Sequence, residues 1–466
     1  MPNVLRESLL LISFLGFANL MLSSISHAQD ALEFPDRDLL DERDQLRQRL
    51  SELESVLGRH DPALIEILSS LAGSSALLSL YSEASALFDR SLQIQRLNLG
   101  LFTTEQIPLI FAKMDVDARA GDWDAVNASL DYLYWLLVEK DVSEGEALTG
   151  FLSQLSEFHL RGVTEDAFGQ QAHHYQQAYK ITYQALKISE KSMDLDDRRI
   201  IDLTYSLVKQ IYLQSAAVER GDETAYALRA VIPRSKWVRP RHIAQSRYYS
   251  IGSQLLNDIR RILTYRDADA AESLAMLDVY TADWHLLFNQ DIAEAAYKNA
   301  FVKLQEAGVD PSELALLFAT PKILPVPAFH DTVTSALNTN YSTLAQQQAE
   351  QGNESNDILN LQKWMDAMPI ISFPINAPPL EKSNQEYFPE IRLRFHLDSL
   401  NRVSRWLGGR YRTNMGVATE FETDESSNID IESLDEHLYL LHFRPYFENG
   451  SARPWEGTLL YPVPMI

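Results

Sequence analysis

Cysteine is absent from this chain of 466 residues. Disulfide bonds, thiolate metal sites, cysteine nucleophiles and c-type haem attachment are therefore excluded. A lipid-anchored lipoprotein is excluded as well, because its acylated residue would be a cysteine just after the export signal. A chain without cysteine is indifferent to an oxidising compartment, so this composition is compatible with export.

The familiar catalytic motifs are missing too. The sequence has no His-Glu-x-x-His pair for zinc, no glycine-rich phosphate loop and no nucleophile-elbow serine. His173 and His174 are adjacent, but neighbouring helical residues point about 100° apart and do not chelate one metal comfortably. For the isolated histidines His159 and His442 we predict surface or helix-cap positions. We therefore expect no catalytic residues, no metal site and no cofactor.

Basic residues are scarce, with 41 Lys and Arg against 65 Asp and Glu, which gives a net charge of −24. Such a surface repels nucleic acid, so we expect no nucleic-acid partner. One basic cluster with an aromatic residue stands against this background. It consists of Arg234, Lys236, Trp237, Arg239 and Arg241. The cluster is either a binding site for an anionic partner or a solvated loop.

Long apolar runs are rare as well. One run covers residues 9–22 and is followed by the small residues of Ser26-His27-Ala28. It is shorter than the ~20 residues that a bilayer-spanning helix needs. The pattern predicts a secretory signal peptide over residues 1–28, cleaved before Gln29. We expect a periplasmic protein with no stable membrane insertion after this cleavage.

Helical periodicity dominates residues 30–345. At the start of this region Leu39, Leu46, Leu50, Leu53 and Leu57 recur at intervals of three, four and seven residues. Such spacing places the leucines in one apolar stripe and predicts an amphipathic α-helix. The same periodicity continues through the region and predicts a single, mainly α domain.

A small–large–small pattern recurs on the predicted helices, with its second member four positions after the first and its third member three positions after the second. Two copies and one looser copy are Ala84, Phe88 and Ser91; Ala293, Tyr297 and Ala300; and Ala178, Thr182 and Ala185. The pattern resembles the tetratricopeptide repeat (TPR). The resemblance implies a solenoid of helical hairpins that offers a concave surface to protein partners. Because the copies are not evenly spaced, we expect irregular hairpins between them.

A tyrosine stripe lies within the same region. Tyr175, Tyr179 and Tyr183 are four residues apart and therefore share one helix face. They either pack in the core between helices or line the concave peptide groove of the repeats.

The composition changes after the helical region. Residues 346–388 are first polar and then rich in proline. Proline at this density fixes φ and removes backbone donors, which favours an extended segment. We predict a linker here, with a small α+β domain over residues 389–466.

The predicted α+β domain has alternating and turn-forming segments. Residues 391–398 (IRLRFHLD) alternate like a half-buried strand, and residues 443–450 (FRPYFENG) end in the hairpin signal Asn449-Gly450. Residues 429–441 have helical spacing. Together with the closing LYP of residues 460–462, this order resembles the C-terminal domain of the TonB energy-transducer family. The resemblance implies docking on another protein by strand pairing.

The spacing within this domain also predicts a register. We expect four apolar side chains to share one side of a single sheet, namely Phe395, Leu397, Phe443 and Phe447. A helix should cover this side with three leucines, Leu434, Leu438 and Leu441. The opposite side of the sheet is expected to be solvent-exposed and to carry the basic residues Arg392, Arg394, His396 and Arg444.

These features predict a non-enzymatic periplasmic scaffold or adaptor that binds protein partners in the cell envelope. The basic cluster and the tyrosine stripe are the candidate partner-binding residues. Two alternatives remain open. A retained N-terminal anchor would favour a TonB-like energy transducer, and a site hidden among the many helical carboxylates would make the chain a cell-envelope enzyme.

Overall fold

The structure, a computed structural model, describes residues 35–194, 197–220, 240–266, 270–339, 358–360, 390–397, 441–448, 450–453 and 455–462. The predicted signal peptide lies outside the described residues. The same holds for residues 234–239 of the basic cluster, for most of the predicted linker, and for Leu434 and Leu438. Arg241 lies within a described helix.

The chain divides into two compact units, residues 1–129 and residues 130–466. Helices α1 (Pro35–Leu57), α2 (Leu64–Leu77), α3 (Tyr81–Leu99) and α4 (Ile107–Arg119) belong to the first unit, and α5 (Trp123–Tyr134) contains the boundary. Consecutive helices from α1 to α4 pack on one another. The predicted leucine stripe of α1 is confirmed in its middle, where Leu50 is buried and Leu46 and Leu53 pack beside it, whereas Leu57 is exposed.

The second unit also consists mainly of helices. They are α6 (Gly145–Glu165), α7 (Gln171–Ser192), α8 (Arg198–Arg220), α9 (Pro240–Arg266), α10 (Ala271–Leu287), α11 (Ala293–Glu306), α12 (Pro311–Leu317) and α13 (Val333–Asn338). Helices α6 and α7, α8 and α9, and α10 and α11 form the closely packed pairs. The mainly α, helical-hairpin architecture of TPR-like type is therefore confirmed.

The small–large–small positions lie between packed helices. Ala84, Phe88 and Ser91 of α3, Ala178, Thr182 and Ala185 of α7, and Ala293, Tyr297 and Ala300 of α11 are all buried. Small side chains let paired helices approach closely, and the larger one between them fills the remaining space. This placement is the one that the repeat pattern requires.

Seven short strands accompany the helices in the described part of the chain. They are β1 (Lys322–Leu324), β2 (Ile358–Asn360), β3 (Glu390–Leu397), β4 (His442–Arg444), β5 (Phe447–Glu448), β6 (Ser451–Ala452) and β7 (Trp455–Pro462). Strand β7 pairs with β3 and β2, while β4 pairs with β1 and β5 with β6. The predicted strand over 391–397 is confirmed, and β5 and β6 form a short antiparallel pair on either side of the predicted hairpin turn.

The predicted register of the last domain is wrong. Phe395 lies in β3, which pairs with β7, whereas Phe443 lies in β4, which pairs antiparallel with β1. Leu441 precedes β4 in non-helical backbone. Arg444, expected to be wet, is buried. The alternation of side chains fixes which residues share a side of one strand, but it does not identify the neighbouring strand.

The predicted boundary near residues 346–388 stays a prediction, and so does the TonB-like fold. Residues 441–448 pack against helices of the second unit through the contacts described below. Among the helices that the structure describes, none combines the length and the apolar character needed to cross a membrane.

Candidate functional site

A short segment without helix or strand structure lies against the side chains of α8 and α10. We call residues 325–330 the strap. Side-chain donors from these helices reach four consecutive backbone carbonyls of the strap. The bonds run from Tyr205 Oη to Val326 O (2.7 Å), from Lys209 Nζ to Pro327 O, from Tyr280 Oη to Ala328 O (3.0 Å) and from Arg198 Nη2 to Phe329 O. These contacts satisfy a stretch of backbone that has no helix of its own.

An aromatic side chain anchors the end of the strap. Phe329 is almost fully buried, with its ring centroid 4.8 Å from that of Tyr280 and 6.0 Å from that of Tyr205. The guanidinium of Arg198 lies 5.4 Å from the Phe329 ring centroid. The backbone N–H of His330 also donates to Tyr280 Oη (2.9 Å). Burial raises the pKa of both tyrosines, so their hydroxyls stay protonated and keep donating.

A second segment from much later in the chain lies beside the strap. We call residues 441–448 the latch. Its strand β4 pairs antiparallel with β1, and Arg444 stands opposite Lys322 in this register. Arg444 donates from Nε to Asp283 Oδ1 (2.9 Å) and from Nη2 to Asp283 Oδ2 (2.5 Å), which is a bidentate ion pair between two buried side chains. Tyr297 Oη donates to Asp283 Oδ1 (2.7 Å).

The carboxylate of Asp283 stabilises the positive charge of Arg444. Burial lowers the pKa of Arg444, but the charge and hydrogen bonds of Asp283 outweigh burial and raise this pKa overall. Burial and the charge of Asp283 hold the pKa of Tyr297 well above its usual value. Arg444 therefore stays a charged guanidinium and Tyr297 a neutral phenol at all physiological pH values.

Aromatic contacts hold the rest of the latch. The ring centroid of Phe447 lies 5.4 Å from that of Phe318 and 5.7 Å from that of Tyr297. The backbone N–H of Phe447 donates to Phe318 O (3.2 Å). At the other end, His442 Nδ1 lies 3.4 Å from Tyr212 Oη on α8. The latch thus contacts α8, α10 and α11 through side chains of defined chemistry.

We use the name α8–α10 face for the surface formed by Arg198, Tyr205 and Lys209 of α8 together with Tyr280 and Asp283 of α10. Four of its polar groups donate hydrogen bonds to the strap, and the fifth, Asp283, accepts hydrogen bonds from Arg444 of the latch. The many carboxylates of this acidic chain gave no sign in the sequence that Asp283 would be buried. No motif marked the other four residues either, because they are spread over two helices that are distant in sequence.

The predicted tyrosine stripe is split between core and surface. Tyr175 is buried in α7, Tyr179 is partly exposed, and Tyr183 is 44% exposed. The rings of Tyr179 and Tyr183 stack, with centroids 6.4 Å apart. Tyr175 therefore packs in the core, whereas Tyr183 is accessible to solvent. A partner-binding role for these tyrosines and for the basic cluster stays a prediction.

The surface or cap positions predicted for the isolated histidines are wrong. His159 and His442 are buried. His159 Nδ1 lies 3.1 Å from Nδ1 of His174, whose Nε2 lies 2.9 Å from Asp166 Oδ2. Burial lowers the pKa of His159 to about 3 and also lowers that of His174. In the described ranges, no group of three or more acidic or histidine side chains is placed to hold a metal ion.

The approach of the two histidines depends on a glycine. A Cβ atom on Gly162 would lie 2.5 Å from Cε1 of His174, which is closer than real side chains come. Gly162 follows His159 by three residues and so lies on the same face of α6. This small residue beside a histidine was the available sequence signal for a buried contact, but it does not identify the partner helix.

Two half-buried lysines make the stability of the second unit depend on pH. The pKa of Lys209 is lowered to about 8 by burial, and that of Lys322 to about 8 by burial and the charge of Arg444. Unfolded lysine has a pKa of about 10.4. Between these values the unfolded chain binds more protons than the folded chain, so stability rises with pH.

We therefore expect the free energy of unfolding, measured by urea titration, to increase from about pH 7 to about pH 9. The Lys209→Met variant should show a smaller increase, because it has lost one of the two groups. Above about pH 10 the buried tyrosines reverse the trend, since they ionise only in the unfolded chain. A free energy that is constant or falls between about pH 7 and about pH 9 would show that the lysines keep their ordinary pKa.

Comparison with known proteins finds similarity among solved structures. No family model matches the chain, and no curated protein is significantly similar in sequence. Among solved structures, the chain is similar to a Podosopora anserina protein assigned to the kinesin light chains, with nearly identical TPR-like repeats. The identity is 16%, the match covers 43% of this chain and 96% of that chain, and the TM-score is 0.27. The helical-hairpin architecture therefore rests on the packed helices and buried repeat positions of this chain itself.

Proposed function

We propose that this protein is a scaffold that binds extended segments of partner proteins on the inner surfaces of its helical hairpins. The observation that carries this proposal is the strap, whose four consecutive carbonyls accept hydrogen bonds from side chains of α8 and α10. These helices thus already hold a non-helical peptide segment of the same chain through its backbone carbonyls.

The chemistry of this binding is transferable to a partner. Backbone carbonyls are common to every peptide, so donors directed at them give affinity, while pockets for side chains give specificity. Helical repeats present long surfaces of this kind. The polar surface continues from α8 to α6, because the charge of Glu157 on α6 acts on Lys209. Glu157 is exposed and is thus accessible to a partner segment.

We also propose that the protein has no catalytic role and needs no cofactor. The buried ionisable groups that an enzyme would use are engaged with one another in this chain. Asp283 accepts hydrogen bonds from Arg444 and Tyr297, and His174 is hydrogen-bonded to His159 and Asp166. Such closed pairs support a structural role better than acid–base catalysis, which needs a group within reach of a substrate.

Export to the periplasm is the further part of this proposal, and partners in the cell envelope follow from it. The apolar run over residues 9–22 and the Ser26-His27-Ala28 site support it. We expect mass spectrometry of the protein from the envelope fraction to show a mature N-terminus at Gln29. An intact N-terminus would instead favour the anchored transducer, in which a TonB-like module would act by strand pairing.

Site-specific photo-crosslinking in cells tests the scaffold function. We would replace Glu157 with p-benzoylphenylalanine, and Arg261 with the same residue as a matched control. Arg261 is also helical and has 80% of its side chain exposed, but it lies on α9. We expect discrete adducts with other proteins at position 157 and few at position 261. The absence of adducts at position 157, or equal labelling at both positions, would contradict the proposal.

A further inference from the structure

The latch resembles a bound peptide ligand in two respects, its strand pairing and its contacts with residues that are distant in sequence. Only the three residues of β4 pair with β1, and they do so antiparallel, as an added strand does when a peptide extends a sheet edge. The residues that receive its side chains, Asp283, Tyr297 and Phe318, lie far from it in sequence. Asp283 and Arg444 are 161 residues apart. The same contacts are available to a segment of another chain.

The first subsite recognises a guanidinium. Both oxygens of Asp283 accept from Arg444 in a planar, two-bond arrangement, and the guanidinium carbon lies 5.6 Å from the Tyr280 ring centroid. A lysine ammonium cannot reproduce two parallel bonds and a flat contact with an aromatic ring. Tyr297 also donates to Asp283 Oδ1, the oxygen that accepts from Arg444 Nε. The subsite is therefore selective for arginine.

The second subsite recognises an aromatic side chain three residues later. Phe447 is buried against Tyr297 and Phe318, and its backbone N–H donates to the carbonyl of Phe318. The combined pattern is an extended segment with arginine at one position and an aromatic residue three positions on. In this chain the segment is His442-Phe443-Arg444-Pro445-Tyr446-Phe447.

We propose that the latch is a built-in ligand of the α8–α10 face and that an arginine-bearing strand of a partner protein replaces it beside β1. This proposal rests on the proposed scaffold function and names the class of partner segment. An empty site would leave the carboxylate of Asp283 buried without its cation, which is strongly unfavourable. A partner strand that carries an arginine gives Asp283 a new cation as the latch leaves. Strands without an arginine cannot do so, and the site therefore selects for arginine-bearing partners. Because the latch is tethered, its effective concentration is high, and a partner must exceed it in affinity or in local concentration.

A labelled peptide tests this proposal with the full chain. The probe is a fluorescein-labelled synthetic peptide of residues 439–453, added to the wild-type protein and to the Arg444→Ala variant. In the variant the latch has lost its anchor, while Asp283 remains to receive the peptide. We expect the peptide to bind the variant at least about tenfold more tightly than the wild type, as measured by fluorescence anisotropy. The peptide should also raise the melting temperature of the variant more than that of the wild type.

A matched peptide isolates the arginine. The same peptide with alanine in place of its arginine should bind the Arg444→Ala variant at least about tenfold more weakly than the native peptide does. The Arg444→Lys variant keeps the charge and provides a second test should the alanine variant fail to fold. Equal binding of both peptides, or equal binding of the native peptide to wild type and variants, would overturn the proposal.

Two further readouts separate the alternatives. Dimers of the Arg444→Ala protein, detected by light scattering and dissolved by the Asp283→Ala substitution, would assign the site to a second copy of the chain and overturn the partner proposal. Crosslinked partners at position 157 together with no peptide binding would leave the scaffold function standing and refute the built-in ligand. Peptide binding without crosslinks at position 157 would support the built-in ligand and refute the proposed scaffold surface on α6.

Discussion

Replacement of Tyr297 with alanine is expected to lower the free energy of unfolding of the second unit by roughly 3–5 kcal/mol. Tyr297 is almost fully buried between Ala293 and Ala300 of α11, where it fills the space between paired helices. Its removal leaves a cavity and also deletes the hydrogen bond to Asp283. Chemical denaturation followed by tryptophan fluorescence measures the effect, since Trp284 is buried in the same unit.

The Tyr297→Phe variant is the control for this prediction. It retains the ring and loses only the hydroxyl, so we expect a loss of about 1–3 kcal/mol, as for the loss of one hydrogen bond to a charged group. A loss near zero for Tyr297→Ala would contradict the placement of this side chain in the core. Equal losses in the two variants would show that the hydrogen bond, and not the packing, accounts for the stability.

The second large effect is expected for Asp283→Ala. This change leaves the guanidinium of Arg444 buried without a counter-charge, and the free energy of unfolding should fall by about 3–5 kcal/mol. Tyr297 loses its acceptor at the same time. Denaturation in urea measures this loss, with the midpoint and slope compared to those of the wild type.

The double variant Asp283→Ala/Arg444→Met tests the reason for this loss. It removes both charges and keeps an apolar side chain of similar length, so most of the lost stability should return. The coupling between the two positions then follows from a double-mutant cycle. Losses that simply add up would show that the two charges do not interact in the folded protein.

Local patterns in the sequence were sufficient to predict the helical hairpins. The positions of Ala84, Phe88 and Ser91 follow from helical spacing alone, and their burial in α3 agrees with it. The turn chemistry of Asn449-Gly450 predicted a chain reversal, and β5 and β6 pair around Gly450, which has a φ of 75°. These features depend on neighbours within a few residues, which is why a single sequence specifies them.

Long-range pairing was beyond the reach of the same reasoning. Arg444 was placed on a wet surface because it alternates with apolar residues, yet its partner Asp283 lies on α10 and makes burial favourable. Likewise, nothing local distinguishes β1, three residues long, as the strand that receives β4. Such pairings depend on the arrangement of distant elements, and alternation along one strand carries no information about them.

The residues that hold the strap could not be predicted from the sequence for a related reason. The tyrosine stripe in the sequence predicted a binding role for Tyr179 and Tyr183. Tyr179 is partly exposed and Tyr183 is exposed, and neither holds the strap. The donors that do so, Tyr205, Lys209 and Tyr280, are scattered in sequence and come together only through helix packing. A site composed of single residues from several helices leaves no contiguous motif.

The central claim is that the latch lies on the helices of the second unit in the resting protein. A pulsed electron paramagnetic resonance distance measurement tests it most directly, with spin labels on cysteines introduced at Ser451 and Lys298. Both positions are exposed, and the chain has no cysteine of its own to compete for label. Gly450, next to Ser451, lies against Phe301 of the helix that carries Lys298. The account predicts one short and narrow distance distribution, whereas a broad or long distribution in the unliganded wild-type background would contradict it.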